Sequence, residues 1–408
     1  MGLAKDEMMY LDSLGLSGGN RKSVCGECIG DNGLAEFISE ESDQNECSYC
    51  KKKAETPIAC PLMDVVIHMA DIIKEEWAHP EEELPYDSGE GGFQGDHFNG
   101  YELFWEIGYE PENTELCNDI RDQFDGRRWC RRDYFGLTES ERSCFGWDSF
   151  CEEVKHNRRY TFWTSYKDGK SEFDPEIIHP AKMLEEIEYV VDELQLIQEF
   201  PTNQQFWRAQ EHKAQEILPF PDQFTSPPKA FATQPNRMSP GGVPMFYGAE
   251  DHETAVLEVS GKNVKMGFEV SGIAFESLRP FNLLDLVSMQ EDVSYFSSQG
   301  RNWRHRTRFL YYFSRDISKP IKKDKRQHIE YVPTQVFTEH VRFNMSTCDG
   351  KPIDGIRYHS SLNKKPCYVL FFDQDDCLKS RPKRPQSLKA VEGSLRTIDL
   401  GQVRQQER

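Results

Sequence analysis

Between residues 62 and 77 the chain reads LMDVVIHMADIIKEEW, in which Leu62, Val65, Val66, Met69, Ile72, Ile73 and Trp77 recur every three or four positions. That spacing gathers the apolar side chains on one side of an α-helix and predicts an amphipathic helix packed on one face. The period returns twice. Trp147, Phe150, Cys151 and Val154 mark a second helical region running to about Tyr160. Met183, Leu184, Ile187, Val190, Val191, Leu194 and Ile197 mark a third, expected to end at Pro201. The stretch HPEEELPYDSGEGGFQGD, residues 79–96, interrupts the pattern with proline, glycine and acid and reads as an exposed loop.

Beyond Pro201 the texture changes to short apolar runs bounded by turn residues: QFWRAQ, PMFYG, TAVLEV, KMGFEVSGIAF, YVPTQVF, GIRYHSS and CYVLFF. Many are β-branched or aromatic, which predicts a mixed α+β domain of mainly short strands. No repeat or low-complexity tract interrupts them, and the residues after KSRPKRPQ read as a polar tail that frays.

Composition narrows the class. With 408 residues the chain has length for two domains and a small module, and 37% hydrophobic residues suit a soluble globular protein. No run approaches the roughly 18 to 20 apolar residues that a membrane span needs. The N-terminal residues lack the basic start and apolar core of a secretory signal, so the twelve cysteines are expected in a reducing cytoplasm, without disulfides. A formal charge of −20 argues against nucleic acid as a partner, and the basic stretches 301–308 and 319–326 are read as solvated surface.

Four of the cysteines are spaced as a metal site. CGEC places Cys25 and Cys28, and CSYC places Cys47 and Cys50, with eighteen residues between the pairs. Two such knuckles fit one tetrahedral zinc held by four thiolates, and four protein ligands leave no open position, so the metal is structural. Cys60, Cys117, Cys130, Cys144, Cys151, Cys348, Cys367 and Cys377 show no paired spacing and are expected as small buried hydrophobes.

The densest chemistry lies in NRMSPGGVPMFYGAEDHETAVLEV, residues 236–259, where an arginine, a Ser-Pro-Gly-Gly turn, a tyrosine and two glutamates crowd together. With FWRAQ before it and YVPTQVFTEHVR and DGIRYHSS after it, this block makes residues 200–380 resemble a RES domain, the family named for an arginine, a glutamate and a serine. Arg237, Tyr247 and Glu258 fall on the family's arginine, tyrosine and glutamate, Tyr358, His359 and Ser360 on its Tyr-Pro-Ser block, and Arg208 on the arginine of its first strand. Met238 and His359 depart from the family's tryptophan and proline without removing a functional group. The first half is similar to the HEPN-related helical segment that often precedes RES domains.

The resemblance implies an α+β protein with four parts: a zinc knuckle in 1–58, a helical HEPN-like domain in 59–195, an ADP-ribosyltransferase-like RES domain in 196–385, and a polar tail in 386–408. It implies an NAD-consuming toxin that splits the nicotinamide–ribose bond, with water or inorganic phosphate as acceptor and NAD as substrate. An antitoxin or other regulatory protein is the implied partner, a homo-oligomer stays open, and the N-terminal half is expected to regulate. ADP-ribose transfer to a macromolecule and a non-catalytic zinc-bearing interaction protein are the competing readings. A HEPN ribonuclease is disfavoured, because no arginine is followed by a histidine after four to six residues.

Cleavage passes through an oxocarbenium-like cation, which a fixed carboxylate stabilises. Glu258 is the candidate and Glu253 its rival. Arg237 and Arg208 offer guanidinium forks for the pyrophosphate, although Arg208 serves equally as a brace. The glycines after Arg237 would let amides approach a phosphate. Tyr247 would stack on nicotinamide, and Ser360 would hydrogen-bond its amide or a ribose hydroxyl. His359 would face the other side of its strand. The whole stretch is expected as one strand-turn-strand unit.

Overall fold

A computed structural model describes residues 9–167, 173–214, 216, 221–261, 267–289, 294–297, 300–320, 326–378 and 385–399. The chain divides into two compact units, residues 1–139 with 291–307, and residues 140–290 with 308–408. These units do not coincide with limits at 58, 195 and 385. Among the described residues no helix is long and apolar enough to cross a membrane.

The first unit is built on helices α1 (Asn32–Glu41), α2 (Leu62–Glu76), α3 (Gly100–Ile107) and α4 (Thr114–Phe124). The helix expected from residue 62 ends one residue before Trp77, and Leu62, Val65, Val66, Met69, Ile72 and Ile73 are all buried. They share a core with Leu34, Ile38, Phe104, Ile120, Phe124 and Trp129, and Phe296, returning from the far end of the sequence, joins it edge-on to Tyr109 at 5.3 Å. Residues 79–96 carry more order than a loop: a short helix Pro80–Glu83 and a hairpin pairing Tyr86 with Phe93. The basic stretch is not fully solvated either. Arg304 is buried, pairs with Glu76 and donates to Tyr295 O at 2.6 Å, and Arg301 donates to Glu75 O at 3.0 Å.

The second unit carries a nine-stranded sheet among its described residues. Its strands are β1 (Ile197–Phe200), β2 (Gln205–Lys213), β3 (Phe246–Ala249), β4 (Phe268–Ser277), β5 (Phe281–Asp285), β6 (Gly355–His359), β7 (Pro366–Leu370), β8 (Leu388–Ala390) and β9 (Arg396–Asp399). They lie in the order β8-β4-β2-β3-β7-β6-β5-β1, with β9 also on β4. Only β5 and β6 run parallel. Residues expected to fray as a tail therefore supply two strands.

Helices α5 (Glu139–Glu152), α6 (Met183–Glu193), α7 (His252–Ser260), α8 (Gly300–Ile317) and α9 (Val332–Phe343) follow the same chain. Trp147, Phe150, Met183, Ile187 and Val190 share a core with sheet residues Ala249, Ile356, Cys367 and Val369. Trp147 also donates from Nε1 to Asp316 at 2.9 Å. Residues 140–195 thus pack in the same compact unit as the sheet. A second cluster, including Phe206, Phe246, Phe275, Tyr368 and Leu370, covers the opposite face.

Three runs change type. The third helix stops at Glu193, and Ile197 begins a strand paired with β5, so the helical period had run through a turn at Gln195, whose φ is 51°. TAVLEV lies in α7 and YVPTQVF in the region of α9, although both read as strands. For α7 the Asp251 carboxylate accepts from Thr254 N at 2.7 Å and Gly261 closes the helix at φ 62°. Together these make a capped helix whatever the β-propensity of the residues between. In α9 Pro333 sits in the first turn, where its missing N–H leaves nothing unpaired.

Candidate functional site

Strand pairing sets which side chains can meet. Tyr247 opposes Val369, which opposes Ile356, while Ala249 opposes Cys367, which opposes Tyr358. Alternation along a strand then puts Tyr247, Cys367 and Tyr358 on one face, with Ser360 just past the end of β6. Helix α7 packs on this side. Gly272 on β4 makes room for it, because a Cβ there would lie 2.7 Å from His252 Cδ2.

The start of α7 is tied to the turn after β6. Lys365 pairs with Asp251 at 2.8 Å, and Asn363 Nδ2 donates to Thr254 Oγ1 at 2.9 Å. The turn closes on itself through Ser360 N to Lys365 O at 2.9 Å, with Lys364 at φ 65°. With both ends fixed, Ser360 Oγ donates to Glu258 Oε1 at 2.5 Å and accepts from Leu362 N at 3.1 Å. Ser360 is fully buried, whereas Glu258 is exposed. Its second carboxylate oxygen makes no hydrogen bond among the described residues, so one oxygen is held and one is open.

Glu253 lies elsewhere. Five residues at about 100° each put it roughly 140° around the helix from Glu258, and its side chain is 85% exposed, 3.9 Å from Lys365. The carboxylate that meets the serine is Glu258.

Tyr247 is held by its hydroxyl, which lies 2.9 Å from Ser239 Oγ. Burial pushes this phenol up to about 12, against opposing hydrogen bonds from Ser239 and the Met238 N–H, and it stays protonated. Ser239 is buried, and sequence reasoning passed over it. Its signal was a hydroxyl two residues after the arginine and eight before the tyrosine.

Arg237 holds a helix end. Its Nη1 donates to Ile317 O and Lys319 O, each at 2.7 Å, at the carboxyl end of α8. Cations are favoured there by the unpaired carbonyls. Nε and Nη2 make no hydrogen bond among the described residues. The main chain on either side is fixed by α9: Thr334 Oγ1 donates to Arg237 O at 2.5 Å, and Gln335 Nε2 to Asn236 O at 2.8 Å. The glycine turn is occupied too. Gly242, at φ 90°, donates its N–H to Ala232 O at 2.6 Å and so does not offer it to a phosphate. Residues 236–259 accordingly form a tethered loop, a strand and a helix, in place of strand-turn-strand.

Arg208 stands apart from the others. Trp207 opposes Ala249 in the only register shared by β2 and β3, so alternation turns Arg208 to the face opposite Tyr247. Where the two strands part, Arg208 Nη1 donates to Tyr247 O at 2.9 Å, and the guanidinium lies 5.2 Å from the Phe246 ring centre. This is the bracing role. Burial pushes its pKa down to about 10, and Nε is sealed from solvent with no partner among the described residues.

A cavity of about 870 Å³ opens elsewhere in the second unit, between Arg159, Trp163, Leu184, Gln335 and Phe343. It shares Pro240 and Gly241 with the loop after Arg237, but none of Arg208, Arg237, Tyr247, Glu258 or Ser360 lines it.

Against this geometry, a family model described as RES domain matches residues 205–390. Residues 205–390 form a RES domain. Ahead of the RES domain, a model described as HEPN/RES N-terminal domain 1 matches residues 40–168. No curated protein and no solved structure matches the chain. The RES match spans every strand of the sheet except β1 and β9, and it contains all five candidate residues.

In the first unit the four knuckle cysteines converge, with all four sulfurs within 4.8 Å of one another. Cys25 and Cys50 sulfurs lie 3.7 Å apart, and Cys28 and Cys47 sulfurs 3.8 Å. The edge of a tetrahedron with zinc–sulfur bonds of about 2.3 Å is about 3.8 Å. The donor set therefore fits a structural zinc, which these four residues would hold. Of the other cysteines, Cys60, Cys117, Cys130, Cys151, Cys367 and Cys377 are buried as expected, Cys144 is half-buried and Cys348 is exposed.

Proposed function

We propose that this RES-domain protein consumes NAD by breaking the bond between nicotinamide and ribose, with water or inorganic phosphate as acceptor, and that it acts as a toxin of a bacterial toxin–antitoxin or defence system. The observation that carries the reading is the Ser360–Glu258 pair. A buried hydroxyl fixes one carboxylate oxygen and leaves the other open, as needed to stabilise a cation that forms beside it. As the glycosidic bond ionises, Glu258 would face the growing positive charge on the sugar, and nicotinamide would leave with the bonding electron pair. Ser360 would act through Glu258 and not directly on the substrate. Tyr247, with its ring fixed through Ser239, would pack against the nicotinamide. Arg237 would meet the pyrophosphate with the donors that the helix end does not use, and Arg208 would hold β3 in place.

The test is product analysis. Wild-type protein incubated with NAD, with and without phosphate, should release nicotinamide. Glu258→Gln should lower the rate by at least about a hundredfold, the scale of losing one preorganised electrostatic group, without changing the unfolding temperature by more than a degree or so. Unchanged release by Glu258→Gln would remove the basis of the reading, and label retained on a macromolecule would replace hydrolysis by ADP-ribose transfer.

A further inference from the structure

Tyr358 has not been used so far, and its surroundings are unusual. It lies near the end of β6, opposite Cys367, on the face that carries Tyr247. The ring is buried, with 9% of the residue exposed. Its hydroxyl makes no hydrogen bond among the described residues. Glu258, Tyr247 and Arg237 are all close enough to act on it electrostatically, as is Cys367. The phenol thus carries a donor that the described residues do not use, beside three candidate site residues.

From this we propose that Tyr358 is a further substrate-contacting residue, whose hydroxyl donates a hydrogen bond to an oxygen at the ribose–nicotinamide end of the substrate. The assignment rests on the functional reading above and deepens it. The donor role follows from the charge around the phenol. Burial, then Cys367, Glu258 and Tyr247, push its pKa well above the ordinary range, and Arg237 opposes them only in part, so the proton stays on the oxygen. A protonated phenol beside the Glu258 carboxylate can point its hydrogen at a sugar or amide oxygen held between them. Two other tyrosines of the sheet differ from it in this respect: Tyr247 is committed to Ser239, and Tyr368 faces the other side of the sheet.

The decisive variant is Tyr358→Phe, which removes one oxygen and no protein hydrogen bond. A purely structural tyrosine at this position predicts unchanged or raised stability and unchanged turnover. The proposal predicts an unfolding temperature within a degree or so of wild type, with kcat/KM for NAD lowered by about tenfold or more, the factor expected from one lost hydrogen bond to substrate. Tyr358→Leu, which also removes the ring, should lose at least as much kcat/KM as Tyr358→Phe. Equal kcat/KM for wild type and Tyr358→Phe overturns the assignment while leaving NAD cleavage standing. A large loss of stability in Tyr358→Phe overturns it as well, since the hydroxyl would then hold the fold. A wild-type chain that leaves NAD intact overturns the functional reading and, with it, this assignment.

Discussion

Replacing Ser360 with alanine separates a group that touches substrate from one that orients its neighbour. The serine oxygen is fully buried and makes two hydrogen bonds, one to the Glu258 carboxylate at 2.5 Å and one from Leu362 N at 3.1 Å. A hydrogen bond to a charged group contributes about 1.5–3 kcal/mol, but Glu258 is exposed, so the lower end of that range applies. The orphaned Leu362 N–H adds about 1 kcal/mol to the destabilisation. Alanine should therefore lower stability by roughly 2.5 kcal/mol. If the carboxylate must be held to work, kcat should fall by about tenfold to a hundredfold, at 1.36 kcal/mol per factor of ten. The assay is nicotinamide release alongside urea unfolding, for Ser360→Ala, Glu258→Gln and the double variant. Because the serine acts through the glutamate, the double variant should be no slower than Glu258→Gln alone. Fully additive losses would refute the argument, since they would mean that Ser360 meets the substrate independently.

Other consequences are measurable in the first unit. Purified protein should carry about one zinc per chain by elemental analysis, as four converging thiolates require, and a strong chelator or Cys47→Ser should lower the unfolding temperature; stability indifferent to both would contradict a zinc fold. Asp119 accepts from Lys22 and from the Tyr49 hydroxyl, and although its burial raises the pKa, those two bonds outweigh it and hold the carboxyl below its ordinary value. The stabilisation it gives is present above the unfolded carboxyl value of about 3.9 and is lost as pH falls through the lower folded value. The stability gap between wild type and Asp119→Asn should accordingly be constant near neutrality and close only in acid below pH about 4; a gap that closes between pH 6 and 8 would point to another group.

Much of this protein is legible in its sequence where one period or one spacing dominates. The helix from Leu62 is buried on the residues its period marked, and the cysteine pairs converge because their spacing allows little else. Five expected strands, at FWRAQ, FYG, FEVSGIAF, GIRYH and CYVL, fall inside β2, β3, β4, β6 and β7. What failed was local context. TAVLEV is rich in β-branched and apolar residues, and only the Asp251 cap and the stop at Gly261 make it a helix. The third helix was overrun because Leu194 and Ile197 keep a helical phase through a turn. The sequence offers the candidate site residues as types, but their partners were not readable. Nothing in the sequence says that Ser360 spends its hydroxyl on Glu258, or that a strand register turns Arg208 to the far face. The extent of the sheet domain was also hidden. Trp147 and Met183 lie in its core, so a fragment starting near residue 196 would strip that core and would not isolate a regulatory effect of the first half.

If Arg237 meets the pyrophosphate as proposed, its bond to the end of α8 would make one cation answerable to two sets of oxygens. A diphosphate arriving at that guanidinium must share it with the peptide carbonyls of Ile317 and Lys319, or take it from them. In the second case the helix loses its terminal clasp as the ligand gains its anchor. Ligand occupancy and the order of a short peptide segment then become two readings of a single balance.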